Sequence, residues 1–373
     1  MKYLLLLVCI FITSKSFTQT TTTKINKVGV NHTLKSKVLK QDKIFQVYLP
    51  GDYQNSDKNY PVIYLLDGQR FFLYGVSLFQ SFHEFDLTPD FIVVGITIDQ
   101  SQRMLTFSTG GDDFLDYLQT EVVPFMDSNY RTSENKLLFG WAYAGGFGIN
   151  VMMKSPSLFN GFILSSPFPS ENKIEPLDEF LNLNKNLNTF FYFTSDKEEY
   201  GVKEGTEALK TFLENKQSNL RWNFKELIGE EHRSTPYTTL YHGIQAYFDN
   251  YQELSFATLE EFNNAGGLAY FNEYYKIRHE KYGKDLQPSS FNKYAIVRLA
   301  MRANEFEMFK NLFKQLGEED LLKELRASRA CGIAEFYLEN GDRARSNELF
   351  TLILEANPNS ERALDGFNKT SNQ

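Results

Sequence analysis

Cysteine, basic charge and long apolar runs are all scarce in this sequence. Two cysteines occur in 373 residues, which excludes a disulfide framework. Lysine and arginine total 39 against 47 acidic residues, a net charge of −8, and an acidic chain lacks the basic surface that nucleic acid requires. After the first residues, no run approaches the ~20 apolar residues of a membrane-spanning helix. The spacings of histidine and cysteine fit no common zinc pattern, so we expect neither a metal nor another cofactor.

Aromatic residues are abundant. They make up 15% of the chain, with 34 phenylalanines and 21 tyrosines, and 42% of all residues are hydrophobic. Such side chains bury large areas, so a sizeable core can form without disulfides. At ~100–200 residues per domain, the length favours two domains.

The first eighteen residues have the pattern of a secretory signal peptide. Met1 and Lys2 precede an apolar run at 3–13, and small polar residues follow. This pattern predicts a cleaved signal over residues 1–18 and export to the periplasm or the extracellular space. The alternatives are a buried N-terminal helix or an uncleaved anchor.

Short apolar runs bounded by turns dominate residues 19–254. Fully apolar runs of this length are typical of buried parallel strands, and helical patterns separate them. We therefore predict an α/β-hydrolase domain over 19–254, built on a doubly wound, mostly parallel sheet. The predicted strands lie at 45–49, 62–66, 91–96, 137–140, 161–165, 190–194 and 222–227.

Residues 255–373 are predicted to form an all-α domain. The segment 331–360 has the residue offsets of a tetratricopeptide repeat, and 294–316 resembles it at an interval of about 36 residues, near the ~34-residue period. Two such units fall short of a free-standing array, so the tail is expected to pack against the α/β domain. It could be a stabilising cap or a groove for a partner protein.

The most informative stretch for chemistry is GWAYAGG at 140–146, between a predicted strand and a helix. Its spacing matches the nucleophile elbow G-x-S-x-G, a sharp turn whose flanking residues must be small. Gly140, Ala144 and Gly145 meet that requirement. The tip, however, is Ala142, which has no hydroxyl for attack on an ester.

A histidine and acids follow later strands, in the chain order of a Ser–Asp/Glu–His triad. His232 comes directly after the last predicted strand. Acids follow the preceding strand, where they could orient the histidine; we favour Glu198 and take Asp196 as second choice. The alternative is a surface histidine and a solvated acidic loop.

Taken together, these motifs resemble the esterase family of α/β hydrolases, which includes esterase D and the enterobactin and salmochelin esterases. The resemblance implies that Gly68 or Gln69, and Tyr143 after the nucleophile, supply the backbone N–H groups of an oxyanion hole. It covers about residues 35–250, through YPVIYLLDGQ at 60–69, DFL at 113–115, EVVPF at 121–125, NYRT at 129–132, the elbow, SSP at 165–167 and EHRSTP at 231–236.

Two departures from the family pattern bear on function. Ala142 stands where the family has serine, and Ala144 where it has glycine. Siderophore-type members carry an acidic residue after the arginine that matches Arg103, and this chain lacks it, which argues against a catecholate siderophore as substrate.

Three interpretations follow from Ala142. The chain could be a natural pseudoenzyme that binds an ester, acyl or glycan ligand without turnover, or a serine esterase inactivated by Ser→Ala. A substitute nucleophile at Tyr143 is disfavoured by the tyrosine pKa near 10. The competing class is a non-enzymatic interaction protein that binds through its helical tail.

Overall fold

The structure is a computed structural model that describes residues 28–196 and 200–371. The predicted signal peptide at 1–18 and the favoured acid Glu198 lie outside the described residues. No helix in the described ranges is long and apolar enough to cross a membrane.

The described residues contain one sheet of eight strands, in the order β1-β2-β4-β3-β5-β6-β7-β8. Strands β3 to β8 are parallel to one another, whereas β1 and β2 are antiparallel to their neighbours. The predicted doubly wound, mostly parallel sheet is therefore confirmed. The strands are β1 Val30–Ser36, β2 Gln41–Tyr48, β3 Tyr60–Leu66, β4 Ile92–Ile96, β5 Thr132–Trp141, β6 Gly161–Ser165, β7 Phe190–Asp196 and β8 Arg221–Leu227.

Helices cover both faces of this sheet, which is why its central strands are apolar throughout. Along β3, Tyr64 and Leu66 pack into the core on one face, and Ile63 and Leu65 pack into the core on the other. The helices of this part are α1 Gly68–Glu84, α2 Arg103–Phe107, α3 Gly111–Tyr117, α4 Val123–Asn129, α5 Tyr143–Lys154, α6 Ile174–Leu183, α7 Lys203–Asn215 and α8 Thr235–Tyr247. Helices α1 and α8 share one core, and α3 to α7 belong to the opposite one.

After α8, the described chain to residue 371 is helical, which confirms the predicted all-α tail. Its helices are α9 Leu259–Asn264, α10 Gly267–Tyr282, α11 Ser290–Arg302, α12 Phe306–Gln315, α13 Glu318–Glu324, α14 Ala327–Glu339, α15 Arg343–Ala356 and α16 Glu361–Ser371. They enclose a core of their own. The turns of the α11–α12 and α14–α15 hairpins each contain a left-handed residue, Asn304 and Gly341. The tetratricopeptide assignment itself stays a prediction.

The helical region contacts the α/β domain through α10. Arg278, which is buried, donates from Nε to the Tyr251 carbonyl at 2.7 Å. The Nζ of Lys284 lies 2.7 Å from an Asp86 oxygen, and the Tyr251 hydroxyl donates to the same carboxylate at 2.9 Å. Burial alone would raise the pKa of Asp86, but the hydrogen bonds from Lys284 and Tyr251 outweigh it and lower that pKa.

Candidate active site

The turn between β5 and α5 has the geometry of a nucleophile elbow. Strand β5 ends at Trp141, α5 begins at Tyr143, and Ala142 between them has φ 54° and ψ −117°. A non-glycine residue in this region is strained, and such strain is concentrated at functional sites. The backbone at Ala142 therefore has the form that would present a nucleophile, although the side chain carries none.

Close backbone packing holds this turn. A Cβ on Gly140 would lie 2.4 Å from the carbonyl oxygen of Ala144, so this position accepts only glycine without movement. The N–H of Ala142 donates to the Ser165 carbonyl at 2.9 Å, and the Ala142 carbonyl accepts from the N–H of Phe168 at 3.0 Å. Contacts of the main chain fix the elbow, and none of them involves the Ala142 side chain.

His232 lies beside the elbow, on the loop between β8 and α8. The Trp141 indole Nε1 donates to the His232 carbonyl at 3.0 Å, and the two rings are 4.9 Å apart. Ala142 and His232 line one cleft of about 330 Å3. The full lining is Arg103, Trp141, Ala142, Tyr143, Phe168, Tyr200, Gly201, Val202 and His232.

The loop that carries His232 is anchored on both sides. The hydroxyl of Thr238 donates to the Glu230 carboxylate at 2.7 Å. Hydrogen bonds from Ser234 and Thr238 lower the pKa of Glu230, so this anchor is ionised well below neutral pH. Thr235 donates to the His232 carbonyl at 3.1 Å.

Beneath this loop, buried hydroxyl groups connect α8 to the carboxyl ends of β6 and β7. Thr235 Oγ1 is 3.0 Å from Ser165 Oγ and 3.1 Å from Ser166 Oγ. Thr194 and Thr239 are joined by a 2.6 Å hydrogen bond between their hydroxyls. The sequence analysis missed this cluster, because its members come from three segments with no local pattern.

Of the two candidate acids, the structure describes Asp196. It is the last residue of β7, it is buried, and it pairs in register with Leu227 at the end of β8. The loop with His232 starts at that same end of β8, so Asp196 and His232 belong to one edge of the sheet. Which acid partners His232, Asp196 or Glu198, stays a prediction.

The proposed oxyanion-hole residues begin two helices that point at this edge. Gly68 and Gln69 open α1, and Tyr143 opens α5. The first N–H groups of a helix have no intrahelical acceptor and suit a developing negative charge. Gln69 also fixes the turn after β4, because its Oε1 accepts from the N–H of Ile98 at 3.0 Å. Their role in an oxyanion hole stays a prediction.

A buried ion pair ties α1 to the elbow. Arg103 Nε lies 2.8 and 2.9 Å from the two carboxylate oxygens of Asp67, and Arg103 Nη2 lies 2.7 Å from Oδ2. The same Nη2 donates to the Trp141 carbonyl at 2.8 Å. Asp67 and Arg103 both occur in the motifs of the sequence, but their pairing could not be predicted from spacing.

Cations surround the Trp141 ring. The guanidinium carbons of Arg70 and Arg103 lie 5.4 and 5.1 Å from its centroid, within the range of cation–π attraction. Within the described residues, no three His, Cys, Asp or Glu side chains converge as a metal site. The cleft lining thus contains an imidazole and aromatic walls, with a methyl group at the predicted nucleophile position.

Comparison with known proteins places this geometry in a family. The family model described as "Putative esterase" matches residues 36–252. A Bacillus subtilis protein, YbbA, is 23% identical over 150 residues, 36% of this chain, and the chain spans 60% of the length of that relative.

Solved structures share the fold at low identity. An IroE-like serine hydrolase from Shewanella oneidensis is 21% identical with a TM-score of 0.57, over 78% of this chain and all of its own. A protein from Capnocytophaga ochracea is 17% identical with a TM-score of 0.59, over 92% of this chain and 99% of its own. The siderophore hydrolase EstB from Aspergillus nidulans is 18% identical with a TM-score of 0.53, over 62% of this chain and 97% of its own. The predicted family is confirmed: this chain belongs to the "Putative esterase" family and has its α/β-hydrolase fold.

Proposed function

We propose that this chain binds a carboxylic ester, or a related acyl or glycan ligand, in the cleft at Ala142 and does not hydrolyse it by a serine mechanism. One observation carries the proposal: Ala142 occupies an intact elbow, beside His232, with no oxygen on its side chain. Loss of the nucleophile in a serine hydrolase costs ~2 × 10⁶ in kcat, while binding can persist.

The size of the cleft limits the ligand class. Its volume of about 330 Å3 is at the lower end of the ~300–1,000 Å3 of ligand pockets. Phe168 and Trp141 give it aromatic walls, and Arg103 is a neighbouring cation. A short-chain acyl or aryl ester fits these dimensions better than a triscatecholate, which agrees with the missing acid after Arg103. The description of the matched family, "Putative esterase", supports ester chemistry in general terms.

The test is restoration of the nucleophile. Ala142→Ser should hydrolyse p-nitrophenyl acetate and butyrate at least ~100-fold faster than the parent, since a serine adds the missing step to a site that is otherwise arranged for it. Burst kinetics of p-nitrophenol release would reveal the acyl-enzyme.

Two control variants make the result specific. Ala144→Ser adds the same hydroxyl two residues away and should leave the rate at the parental level. Ala142→Ser combined with His232→Ala should lose the gain, because the serine then has no general base. A folded Ala142→Ser protein without activity would refute the assignment of position 142 as the nucleophile site.

The proposal has two further parts: the protein is exported, and Ala142 is the natural residue at the nucleophile position. The apolar start of the chain supports secretion, and N-terminal sequencing of protein from the native cell would test cleavage near residue 18. A Ser→Ala variant of an active esterase would have the same geometry. The codon for residue 142 in the native gene distinguishes that case from a natural pseudoenzyme.

A further inference from the structure

A second and larger cavity lies at the opposite edge of the sheet from Ala142. Its volume is about 810 Å3, within the ~300–1,000 Å3 range of ligand pockets. Tyr60 at the start of β3 lines it, whereas Asp67 of the candidate active site follows the end of the same strand. At ~3.3 Å per residue, the length of β3 separates the two sites by roughly 20 Å. The end of α10, around Gly283, closes the cavity from the side of the helical region.

The inner walls of this cavity are aromatic. Tyr60, Tyr247, Phe248 and Tyr251 are all buried, and Tyr282 from α10 packs edge-on against Tyr251 with ring centroids 5.1 Å apart. The phenols are held in place by polar partners, and Tyr60 and Tyr251 donate to the carboxylates of Asp52 and Asp86 at 3.1 and 2.9 Å. The Tyr247 hydroxyl donates to Asn135 Oδ1 at 3.0 Å, and the Tyr282 hydroxyl donates to the Asp249 carbonyl at 2.8 Å. Rigid aromatic walls of this kind hold the flat face of an apolar or aromatic group.

Positive charges stand around the mouth. Lys58, Arg221, Lys281 and Lys284 line the cavity, against a single lining acid, Asp90. Lys281 and Lys284 have acidic partners outside the lining, and Asp90 contacts His83. Within the described residues, Lys58 and Arg221 take part in no ion pair.

Arg221 stands beside the aromatic wall of the cavity. Its guanidinium carbon lies 5.8 Å from the ring centroid of Phe190, which is 5.4 Å from the ring centroid of Tyr247. Burial raises the pKa of the Tyr247 hydroxyl to about 12, and the positive charge of Arg221 opposes this shift. The same cation opposes the rise that burial causes in the pKa of Tyr282. Since Arg221 also lines the cavity, it is placed to meet the polar end of a molecule packed against these rings.

We propose that this cavity is a second binding site, for a small amphipathic anion with an aromatic or apolar body and one acidic group. The body would lie against Tyr247, Tyr251 and Tyr282, and the acidic group would meet Arg221 and Lys58. Since walls from both the α/β domain and α10 enclose the site, an occupant would also join the two regions. The proposal is independent of the chemistry at Ala142.

The experiment uses two probes that share a ring system and differ in charge. These are 8-anilinonaphthalene-1-sulfonate and the neutral N-phenyl-1-naphthylamine, titrated by fluorescence into the full chain. We expect saturable one-to-one binding of the sulfonate. Arg221→Ala should weaken it about tenfold, the size of one charge-assisted hydrogen bond, and should leave the affinity for the neutral amine within about twofold.

Matched variants locate the binding. Arg298→Ala removes an exposed arginine of α11 and should change neither affinity. Ser133→Trp puts an indole into the cavity and should abolish binding of both probes; if circular dichroism shows that this variant does not fold, Pro89→Trp replaces it. The proposal is overturned if the sulfonate does not bind saturably, if Arg221→Ala and Arg298→Ala bind it equally well, or if the folded tryptophan variant still binds it.

Discussion

At the scale of single residues, the buried carboxylate of Asp67 is stabilised by an ion pair with Arg103. Its carboxylate is fully buried and Arg103 is the cation that meets it. We predict that Arg103→Met lowers the free energy of unfolding by ~3–5 kcal/mol, because it leaves a buried charge without compensation. Urea denaturation followed by circular dichroism measures this change.

The double variant Asp67→Asn with Arg103→Met is the control for that prediction. Asparagine carries no charge and tolerates the left-handed backbone of residue 67 (φ 56°), so no buried charge is stranded and much of the lost stability should return. Equal stability of the parent and the single variant would contradict the importance of the pair.

Gly140 offers a second test at this scale. A methyl group there would meet the Ala144 carbonyl at 2.4 Å, so Gly140→Ala should destabilise the fold by about 1–3 kcal/mol through forced backbone movement. Gly332 in α14 is the matched control, because a Cβ there meets nothing within 4 Å. Gly332→Ala should raise the free energy of unfolding by about 0.5–1 kcal/mol. Thermal denaturation of the two variants measures both changes in stability. If Gly140→Ala and Gly332→Ala changed the stability equally, the close packing at the elbow would be contradicted.

At the scale of elements, sequence reasoning succeeded where burial dictates composition. Strands β3, β4, β6 and β7 were predicted within two residues of their observed bounds, because strands covered on both faces must be apolar. Strand β8 was also found, but the predictions for β2 and β5 began at 45 and 137, whereas the strands begin at Gln41 and Thr132. Strand β1, Val30–Ser36, was missed: it is an edge strand with exposed polar residues, and its sequence, VNHTLKS, carries no such signal.

The position of His232 and the elbow were predictable from local motifs. The pairing of Asp67 with Arg103 joins distant segments and could be learned only from the fold.

Strand β1 carries a residue that should make stability depend on pH. His32 Nε2 is 2.6 Å from the Tyr130 hydroxyl, and its ring stacks on Phe45 at 5.2 Å. Burial lowers the pKa of His32. Its contribution is therefore complete above the unfolded pKa of ~6.5 and is lost as the pH falls towards the lower folded value.

We predict that the free energy of unfolding falls less between pH 7 and pH 5 in His32→Gln than in the parent, since glutamine does not titrate. Denaturant curves at the two pH values measure this difference. His279→Gln is the control, because His279 is exposed on α10. An unchanged pH dependence in His32→Gln would contradict the prediction.

At the scale of the whole molecule, α10 connects two separately packed cores. Arg278→Met leaves the Tyr251 carbonyl without its donor, and we predict a loss of about 1–3 kcal/mol together with earlier proteolytic cleavage between residues 252 and 258. Limited chymotrypsin digestion, which can cut after Leu254 and Phe256, and calorimetry measure both effects. Lys276→Met, an exposed change on the same helix, should alter neither. Identical cleavage in both variants would argue against α10 as the connection.

The partner of the helical tail remains a proposal at this scale. The tail has its own core and contains two helical hairpins, α11–α12 and α14–α15, which supports the proposal of a unit that binds another protein. If it does, a chain ending at residue 254 should keep ester binding in the cleft and lose capture of that protein.

The way in which the elbow is held also bears on its history. Gly140, the Ser165 carbonyl and the Phe168 N–H hold the turn through main-chain contacts, so residue 142 can change without altering the backbone around it. Alanine and serine codons of the GCN and TCN sets differ by one base. Under the proposed function, gain or loss of the hydroxyl at position 142 is therefore a single-base change that leaves the scaffold intact.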